Sequence, residues 1–190
     1  MGIPAHDTSI TTFEPLKGHC TCKHITYTVT APPLVTHCCH CTWCQRETGT
    51  AFALNSVVES TLFELTSYAS PLLIKTPSNS GNGQLIARCP RCYVTVYSHY
   101  PGAGKLMTFF RAGTLDDASR ERVLPDVHIF AESKVSWVDL EGEKKRGVKV
   151  YDEYYEREEV WKADMVERRR KYLEEVEEGR RNSDYSLEIV

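Results

Sequence analysis

Four of the chain's eight cysteines lie in one short stretch, Cys38-Cys39-His40-Cys41-Thr42-Trp43-Cys44. Another pair precedes this stretch as Cys20-Thr21-Cys22, and a further pair follows it as Cys89-Pro90-Arg91-Cys92. A C-x-x-C turn lets two thiolates meet one cation at about 2.3 Å each. Residues two apart in a strand project to the same side, so the C-x-C pair can converge in the same way. The spacing therefore predicts metal binding.

The three groups predict two zinc ions per chain, in sites of different character. The two outer pairs supply four sulfurs, which is the full tetrahedral set of a closed structural site. The central stretch offers Cys39, Cys41 and Cys44, and three thiolates leave one coordination position free, as a catalytic zinc requires. A thioredoxin-like redox pair is disfavoured because no βαβ pattern surrounds the second C-x-x-C.

The remaining donors near the central stretch leave alternatives open. We expect Cys38 to be a buried free thiol, although it can also close the second site as a fourth ligand or act as a reactive residue. His37 and His40 flank the cluster. We expect a histidine between two ligands of a tight loop to point away from the metal, but ligation by either one would also close the second site.

Composition limits the partners of the chain and its location. The 190 residues carry a net charge of -3, with a pI near 6.2, so there is no basic footprint for nucleic acid or an anionic membrane. No run approaches about 18 consecutive apolar residues, and residues 1–17 lack the features of a signal peptide. We expect a cytoplasmic protein, with a nuclear location left open, where clustered thiols bind metal more often than they form disulfides.

Residues 18–140 are predicted to form a mainly β domain of antiparallel sheets. Ile25, Tyr27 and Val29 alternate with threonines, which is the period of a half-buried strand. Comparable runs follow at 51–58, 61–68, 93–98, 105–111 and 127–131, separated by turn-forming residues. The absence of amphipathic helices between these runs disfavours a parallel α/β fold. Residues 1–17 are an N-terminal extension in this prediction.

Residues 147–190 are predicted to be a C-terminal helical extension. Between residues 151 and 181, Trp161, Met165, Tyr172 and Val176 fall on one helical face, so we expect an amphipathic helix ending near Gly179. The basic run at 168–171 is interleaved with glutamates and predicts a solvated face. The helix can pack on the sheet, cover the site or pair with another copy of the chain.

Several motifs together carry a resemblance to a known family: Gly18-His19-Cys20-Thr21-Cys22, Cys39-His40-Cys41-Thr42-Trp43-Cys44, Thr48-Gly49-Thr50-Ala51-Phe52, Cys89-Pro90-Arg91-Cys92 and His128-Ile129-Phe130 with Lys134 and Trp137. Over residues 18–140 the chain resembles the glutathione-dependent formaldehyde-activating enzyme family, which includes centromere protein V relatives. The resemblance implies a β-tent fold and carbon–sulfur lyase chemistry on glutathione or a thiol adduct. It also implies a structural zinc on Cys20, Cys22, Cys89 and Cys92, and a catalytic zinc on Cys39, Cys41 and Cys44.

The chain departs from the family pattern at two positions. Cys38 stands where members commonly have His, and Tyr93 stands where they commonly have Gly, so we expect no left-handed turn at Tyr93. Arg46, Thr48 and Gly49 are the predicted substrate contacts, because they directly follow the central cysteines. The alternative function is a non-enzymatic zinc scaffold or protein-interaction module in which both metals are structural.

Overall fold

The computed structural model describes residues 13–187, with side chains to residue 179. Most of the predicted N-terminal extension therefore lies outside the described residues. Eleven strands are present within the described range, and they form a three-stranded sheet and an eight-stranded sheet. The strands are β1 Leu16–His19, β2 Thr26–Val29, β3 Val35–Cys39, β4 Ala53–Glu59, β5 Phe63–Leu65, β6 Leu72–Thr76, β7 Gln84–Arg88, β8 Thr95–His99, β9 Met107–Arg111, β10 Val127–Ile129 and β11 Lys149–Val150.

Five α-helices accompany these strands in the described part of the chain. They are α1 Thr42–Thr48, α2 Asp117–Arg120, α3 Glu141–Lys145, α4 Arg157–Val160 and α5 Ala163–Leu187. Four of the five have seven residues or fewer, so α5 is the one long helix between residues 13 and 187. No helix in that range has both the length and the apolar character that crossing a bilayer requires.

The small sheet has the order β1-β2-β5, and its strands are antiparallel. Tyr27 and Val29 of β2 are buried, and the threonines between them are half-buried, as the alternating pattern predicts. Gly18 of β1 faces the ring of Tyr27. A Cβ atom at Gly18 would stand 2.2 Å from the Tyr27 Cζ atom, so this pairing requires glycine.

The large sheet has the order β11-β10-β3-β4-β9-β8-β7-β6. Its pairs are antiparallel from β3 to β6, whereas β10 runs parallel to both β3 and β11. The prediction of a mainly β fold with a C-terminal helix is confirmed. The parallel edge was not predicted, because it is made by strands of two or three residues that carry almost no periodic signal.

Alternation along β3 sends neighbouring side chains to opposite faces of the large sheet. His37 and Cys39 share one face, and Cys38 lies on the other. On β4, Asn55 pairs with His37, and on β9, Arg111 pairs with Asn55, so these residues extend the Cys39 face across three strands. All five residues of β3 are buried, which explains why its sequence shows no alternation between apolar and polar residues.

The predicted helix over residues 151–181 is wrong at both ends. Tyr151 N–H donates to the His128 carbonyl, and the carbonyls of Tyr151 and Glu153 accept from Ala131 and Phe130, so this segment continues the sheet edge. The long helix α5 begins only at Ala163 and runs through Gly179 to Leu187. Gly179 does not end it, because an exposed helical glycine lowers stability without breaking the hydrogen-bond ladder.

Helix α5 packs against the β domain. Met165, Tyr172 and Leu173 contact the apolar cluster on the Cys39 face of the sheet. Arg168 forms a two-point ion pair with buried Glu59 of β4, with Nε–Oε1 2.8 Å and Nη2–Oε2 3.0 Å. The predicted solvated face is therefore wrong for Arg168, whereas Arg170 is exposed and pairs with glutamates of its own helix. Pairing of this helix with another copy stays a prediction.

The two cysteine turns share an unusual backbone conformation. Tyr93 has φ of 57° and donates its N–H to the Cys89 carbonyl, and Lys23 has the same φ and donates to the Cys20 carbonyl. The expectation that Tyr93 prevents a left-handed turn is wrong. The Tyr93 side chain projects into solvent, so its bulk meets no obstacle, and the cost is the intrinsic strain of a non-glycine residue in this region.

We predict that Tyr93→Gly raises the free energy of unfolding by about 1 kcal/mol, because glycine relieves the left-handed strain. In a chain of this size, such a change raises Tm by about 2–4 °C in thermal denaturation followed by circular dichroism. Tyr68→Gly is the matched control, since Tyr68 is fully exposed and is absent from the left-handed positions. A stabilisation no greater than that of the control would contradict the role of strain at Tyr93.

We predict that Arg168→Gln lowers the free energy of unfolding by about 3 kcal/mol, because the change leaves the buried Glu59 carboxylate without its charge partner. Arg170→Gln, two residues away, removes only exposed ion pairs and is expected to cost less than about 1 kcal/mol. Urea denaturation of both variants measures the difference. Equal costs would show that the Arg168–Glu59 contact does not anchor the helix.

Candidate metal centres

Cys20, Cys22, Cys89 and Cys92 converge where β1 and β7 end. The Sγ atoms of Cys20 and Cys22 are 3.6 Å apart, and those of Cys22 and Cys89 are 3.7 Å apart. Four sulfurs bound tetrahedrally to zinc at about 2.3 Å lie about 3.8 Å from one another, whereas a disulfide needs about 2.05 Å. The donor set therefore fits a soft metal ion, which would link the small sheet to the large one.

Backbone amides point at two of these sulfurs. Ile25 N–H donates to Cys20 Sγ at 3.3 Å, and Arg91 N–H donates to Cys89 Sγ at 3.4 Å. Such donors favour the thiolate form, but burial outweighs them and raises the pKa of Cys20 to about 12. The backbone donors thus favour thiolates, but in this buried position a bound cation is needed to stabilise them fully.

Cys39, Cys41 and Cys44 form a second, separate group where β3 ends and α1 begins. Cys39 is the last residue of β3, and Cys41 caps α1, where its Sγ accepts the Cys44 N–H at 3.4 Å. Hydrogen bonds from Cys39 and Cys44 lower the pKa of Cys41 to about 2, so Cys41 is the first of the three to carry a thiolate charge. Three converging sulfurs also fit a soft metal ion.

No fourth ligand joins this group from the Cys, His, Asp and Glu side chains of residues 13–179. Cys38 is buried on the opposite face of the sheet, with its Sγ 3.7 Å from His40 Nε2. His40 turns the same way and lies 2.9 Å from His128 Nδ1. His37 shares the face of Cys39, but its ring binds the Tyr155 hydroxyl at 2.6 Å. Among residues 13–179 the group therefore offers three ligands and no fourth, and its cysteines are at most 9% exposed.

A cavity of about 590 Å³ opens on the Cys39 face of the sheet. His37, which shares this face with Cys39, lines it together with Val57 and Phe109. The opposite wall comes from the C-terminal segment, through Tyr154, Tyr155, Glu156, Arg157, Glu158, Trp161 and Arg169. A volume of this size is typical of small-molecule sites.

Two guanidinium groups give part of this cavity a positive character. Burial lowers the pKa of Arg169, and the neighbouring charge of Arg157 lowers it further. The Arg157 guanidinium lies 5.3 Å from the ring centre of Trp161. Among the described side chains, neither arginine has a carboxylate within salt-bridge distance. Cations held without a counter-charge are suited to an anionic ligand.

A third arginine lies on the same face, closer to the sulfurs. Arg111 binds Glu47 of α1 at 3.0 Å and also contacts Asn55. Glu47 additionally accepts hydrogen bonds from Arg88 and Thr95, both at 2.9 Å. Hydrogen bonding to Cys39 and the charge of Arg111 lower the pKa of Cys44, but hydrogen bonding to Cys41 and burial raise it overall. This buried network fixes α1, and with it the loop that carries Cys41 and Cys44, to the large sheet.

The predicted substrate contacts lie in the last turn of α1 and at its C-cap. Arg46 and Gly49 are exposed, and Gly49 ends the helix with φ of 68°. Thr48 donates its hydroxyl to the Cys44 carbonyl at 2.8 Å. None of the three lines the cavity beside Cys39. Their role in binding substrate stays a prediction.

Sequence reasoning missed the cavity residues. His37 could have been found, because it lies two positions before Cys39, and recognition of β3 as a strand would have put both on one face. No sequence pattern indicates a role for Arg157 or Arg169, since they reach the cavity only through the docking of residues 154–169. Arg111 was likewise invisible, because its neighbours Asn55 and Glu47 are distant in sequence.

A mainly β protein with one four-sulfur cluster and one three-sulfur cluster defines a thiol-rich β domain whose cysteines could hold metal ions. The chain belongs to the glutathione-dependent formaldehyde-activating enzyme family, whose model matches residues 15–133. A comparison with curated protein sequences gave no significant match. Among solved structures, the chain is similar to a protein of Rhodobacter sphaeroides, with 10% identity, a TM-score of 0.39 and coverage of 71% of this chain and 98% of that one.

Proposed function

We propose that this protein is a zinc-dependent carbon–sulfur lyase that acts on glutathione or a thiol adduct of glutathione. In this proposal Cys39, Cys41 and Cys44 hold the catalytic zinc, and the four-sulfur cluster of Cys20, Cys22, Cys89 and Cys92 holds a structural zinc. The single observation that carries it is the convergence of three sulfurs without a fourth protein ligand among the described residues, on a sheet face that also carries a cavity lined by two arginines. A reducing compartment that contains glutathione, such as the cytoplasm, suits this chemistry.

The reaction joins or separates a thiol and an aldehyde. In one direction the thiol sulfur forms a bond to the carbonyl carbon and its proton ends on the carbonyl oxygen, and in the other direction the same C–S bond breaks. A zinc ion in the three-sulfur site would supply stabilisation of the substrate thiolate over the thiol at neutral pH. The chain's own contribution is to orient the tripeptide so that its sulfur reaches the coordination position that Cys39, Cys41 and Cys44 leave free.

The cavity has the charges that glutathione requires. Glutathione carries two carboxylates and one ammonium group. Arg157 and Arg169 can bind the carboxylates, because they project into the cavity without carboxylate partners among the described residues. Glu156 and Glu158 lie on the same wall and suit the ammonium group. The opposite wall of Val57 and Phe109 offers apolar surface to the methylene groups of the ligand.

A hydrogen-bond network keeps the cavity wall rigid. Tyr155 accepts the Trp161 indole N–H at 2.8 Å, and the same hydroxyl bonds His37 Nε2 at 2.6 Å. The rings of Tyr154 and Tyr155 stack with their centres 4.8 Å apart. These contacts connect β3, which ends at Cys39, with the C-terminal segment, so the cavity and the sulfurs keep a fixed spacing.

The scaffold alternative receives less support. It requires a fourth protein ligand that closes the three-sulfur site, and Cys38 and His40 both lie on the other face of β3. His37 shares the face of Cys39, but its hydrogen bond goes to Tyr155. A purely structural ion also gives no reason for a cavity on the same sheet face that is lined by two arginines and two glutamates.

We predict that Cys41→Ser removes one zinc equivalent per chain and abolishes catalysis without unfolding the domain, because the four-sulfur cluster stays intact. Zinc is measured by mass spectrometry of the purified protein. Activity is the rate at which glutathione and formaldehyde exchange with their S-hydroxymethyl adduct, followed by exchange NMR.

Thr42→Ala is the matched control for Cys41→Ser, since Thr42 is the exposed neighbour that begins α1. It is expected to keep both the zinc and the rate of the parent protein. If the parent protein accelerates neither this exchange nor that of other aldehydes with millimolar glutathione, the lyase proposal is wrong. If Cys41→Ser keeps its zinc, the assignment of the metal to this group is wrong.

We predict that Arg169→Gln raises KM for glutathione roughly 10- to 100-fold with little change in kcat, because one charge-assisted contact to a carboxylate contributes about 1.5–3 kcal/mol. The ground state and the transition state are expected to lose this contact equally, because the carboxylates are remote from the reacting sulfur. Arg170→Gln, on the exposed side of the same helix, is expected to leave KM unchanged. Equal KM values for both variants would remove Arg169 from the binding site.

A further inference from the structure

Three metal-binding donors lie together on the face of β3 that the three-sulfur group does not use. They are Cys38 of β3, His40 in the following loop and His128 of β10. Cys38 Sγ is 3.7 Å from His40 Nε2, which is 2.9 Å from His128 Nδ1. All three residues are at most 4% exposed. The register of the parallel pair places Cys38 beside His128, so the strands themselves hold two donors together.

The distances suit one cation. A sulfur at about 2.3 Å and a nitrogen at about 2.05 Å from a tetrahedral ion are about 3.5 Å apart. The observed separation of 3.7 Å between Cys38 Sγ and His40 Nε2 is close to this value. The two ring nitrogens, at 2.9 Å, need to separate by only a few tenths of an ångström to accommodate an ion.

The hydrogen bonds of His128 fix where its ring proton lies. Its Nε2 is 3.4 Å from Glu143 Oε2, and an ionised carboxylate can only accept. The proton of the neutral ring therefore belongs on Nε2, and Nδ1 presents a lone pair toward His40. A carboxylate behind a metal-binding histidine is the usual arrangement that orients such a ligand.

The ring of His40 cannot be satisfied by protein groups alone. If its Nε2 carries the proton and donates to His128 Nδ1, then its Nδ1 is a bare acceptor. That Nδ1 atom is buried and has no hydrogen-bond partner among the described residues. A proton on Nδ1 instead leaves a buried N–H without an acceptor and directs two lone pairs, from His40 Nε2 and His128 Nδ1, at each other.

We propose that Cys38, His40 and His128 bind a third zinc ion, separate from the two thiolate-rich sites. The cation takes the place between the two inward nitrogens, so both rings keep their protons on the outward side, which for His128 faces Glu143. One thiolate and two imidazoles are donors that zinc accepts. The surrounding charges are Glu143, whose carboxylate offsets the ion, and the cations Lys134 and Arg146, which are bound to backbone carbonyls and to Glu143 respectively.

An ion at this position would also restrain the neighbouring three-sulfur site. His40 lies between Cys39 and Cys41, so a ligand bond to its ring restrains the loop that presents both sulfurs. His128 belongs to β10, the strand that pairs with β3, so the ion also links two strands of the sheet. The two metal sites face away from each other because adjacent strand residues alternate.

The test uses the full chain, dialysed against micromolar zinc and then analysed by mass spectrometry. We expect three zinc ions per chain in the parent protein, and two in Cys38→Ser and in His128→Gln. His99→Gln is the matched control, because His99 bonds the Met107 carbonyl and belongs to none of the clusters, and it is expected to keep three. A double change of Cys38→Ser with Cys41→Ser is expected to keep only one.

X-ray absorption at the zinc edge supplies an independent readout. The two other sites offer only sulfur ligands from the protein, so zinc–nitrogen scattering at about 2.0–2.1 Å with imidazole features reports the third site. We expect these features in the parent protein and their loss in His128→Gln. Two zinc ions in the parent protein without imidazole scattering would overturn the proposal, even if a variant failed to fold. Catalysis by such a two-zinc protein would leave the lyase proposal standing.

Discussion

The alternation of side chains along β3 is the constraint on which the functional part of this molecule depends. The strand is buried on both faces, so each of its residues must meet a partner inside the protein. His37 lines the cavity and Cys39 lies on the same face of the sheet, whereas Cys38 faces His128. A slip of one residue in the pairing with β4 would exchange these faces and separate Cys39 from Cys41 and Cys44. The register is fixed by five consecutive pairs with β4 and three with β10.

Two parts of the chain contribute to the cavity in different ways. The family model covers residues 15–133, which contain every cysteine of the chain. The wall that carries Arg157 and Arg169 comes from residues beyond that match. The buried Arg168–Glu59 pair and the apolar contacts of α5 hold this wall against the sheet. The lining of the cavity therefore depends on a segment that the family model does not cover.

Some elements of the fold leave a periodic pattern in the sequence and others do not, for reasons that differ from element to element. Strands with one exposed face, such as β2, show clear alternation and were predicted. Strand β3 shows none, because both of its faces are buried. The helix prediction over residues 151–181 followed a helical apolar pattern, but residues 151–153 are used as an additional edge of the sheet. Hydrogen bonds to a neighbouring strand outweighed local helix propensity there.

What the sequence by itself determined was the grouping of the cysteines, because C-x-C and C-x-x-C spacings bring sulfurs together through local geometry alone. The class of the fold followed from the period of its strands. Only the tertiary structure decided the partners of Cys38 and His37 and the place of the arginines. His128 is 90 residues from Cys38, and Arg169 is 130 residues from Cys39. Contacts at such separations depend on strand order and on how the C-terminal segment docks, and neither leaves a periodic mark in the chain.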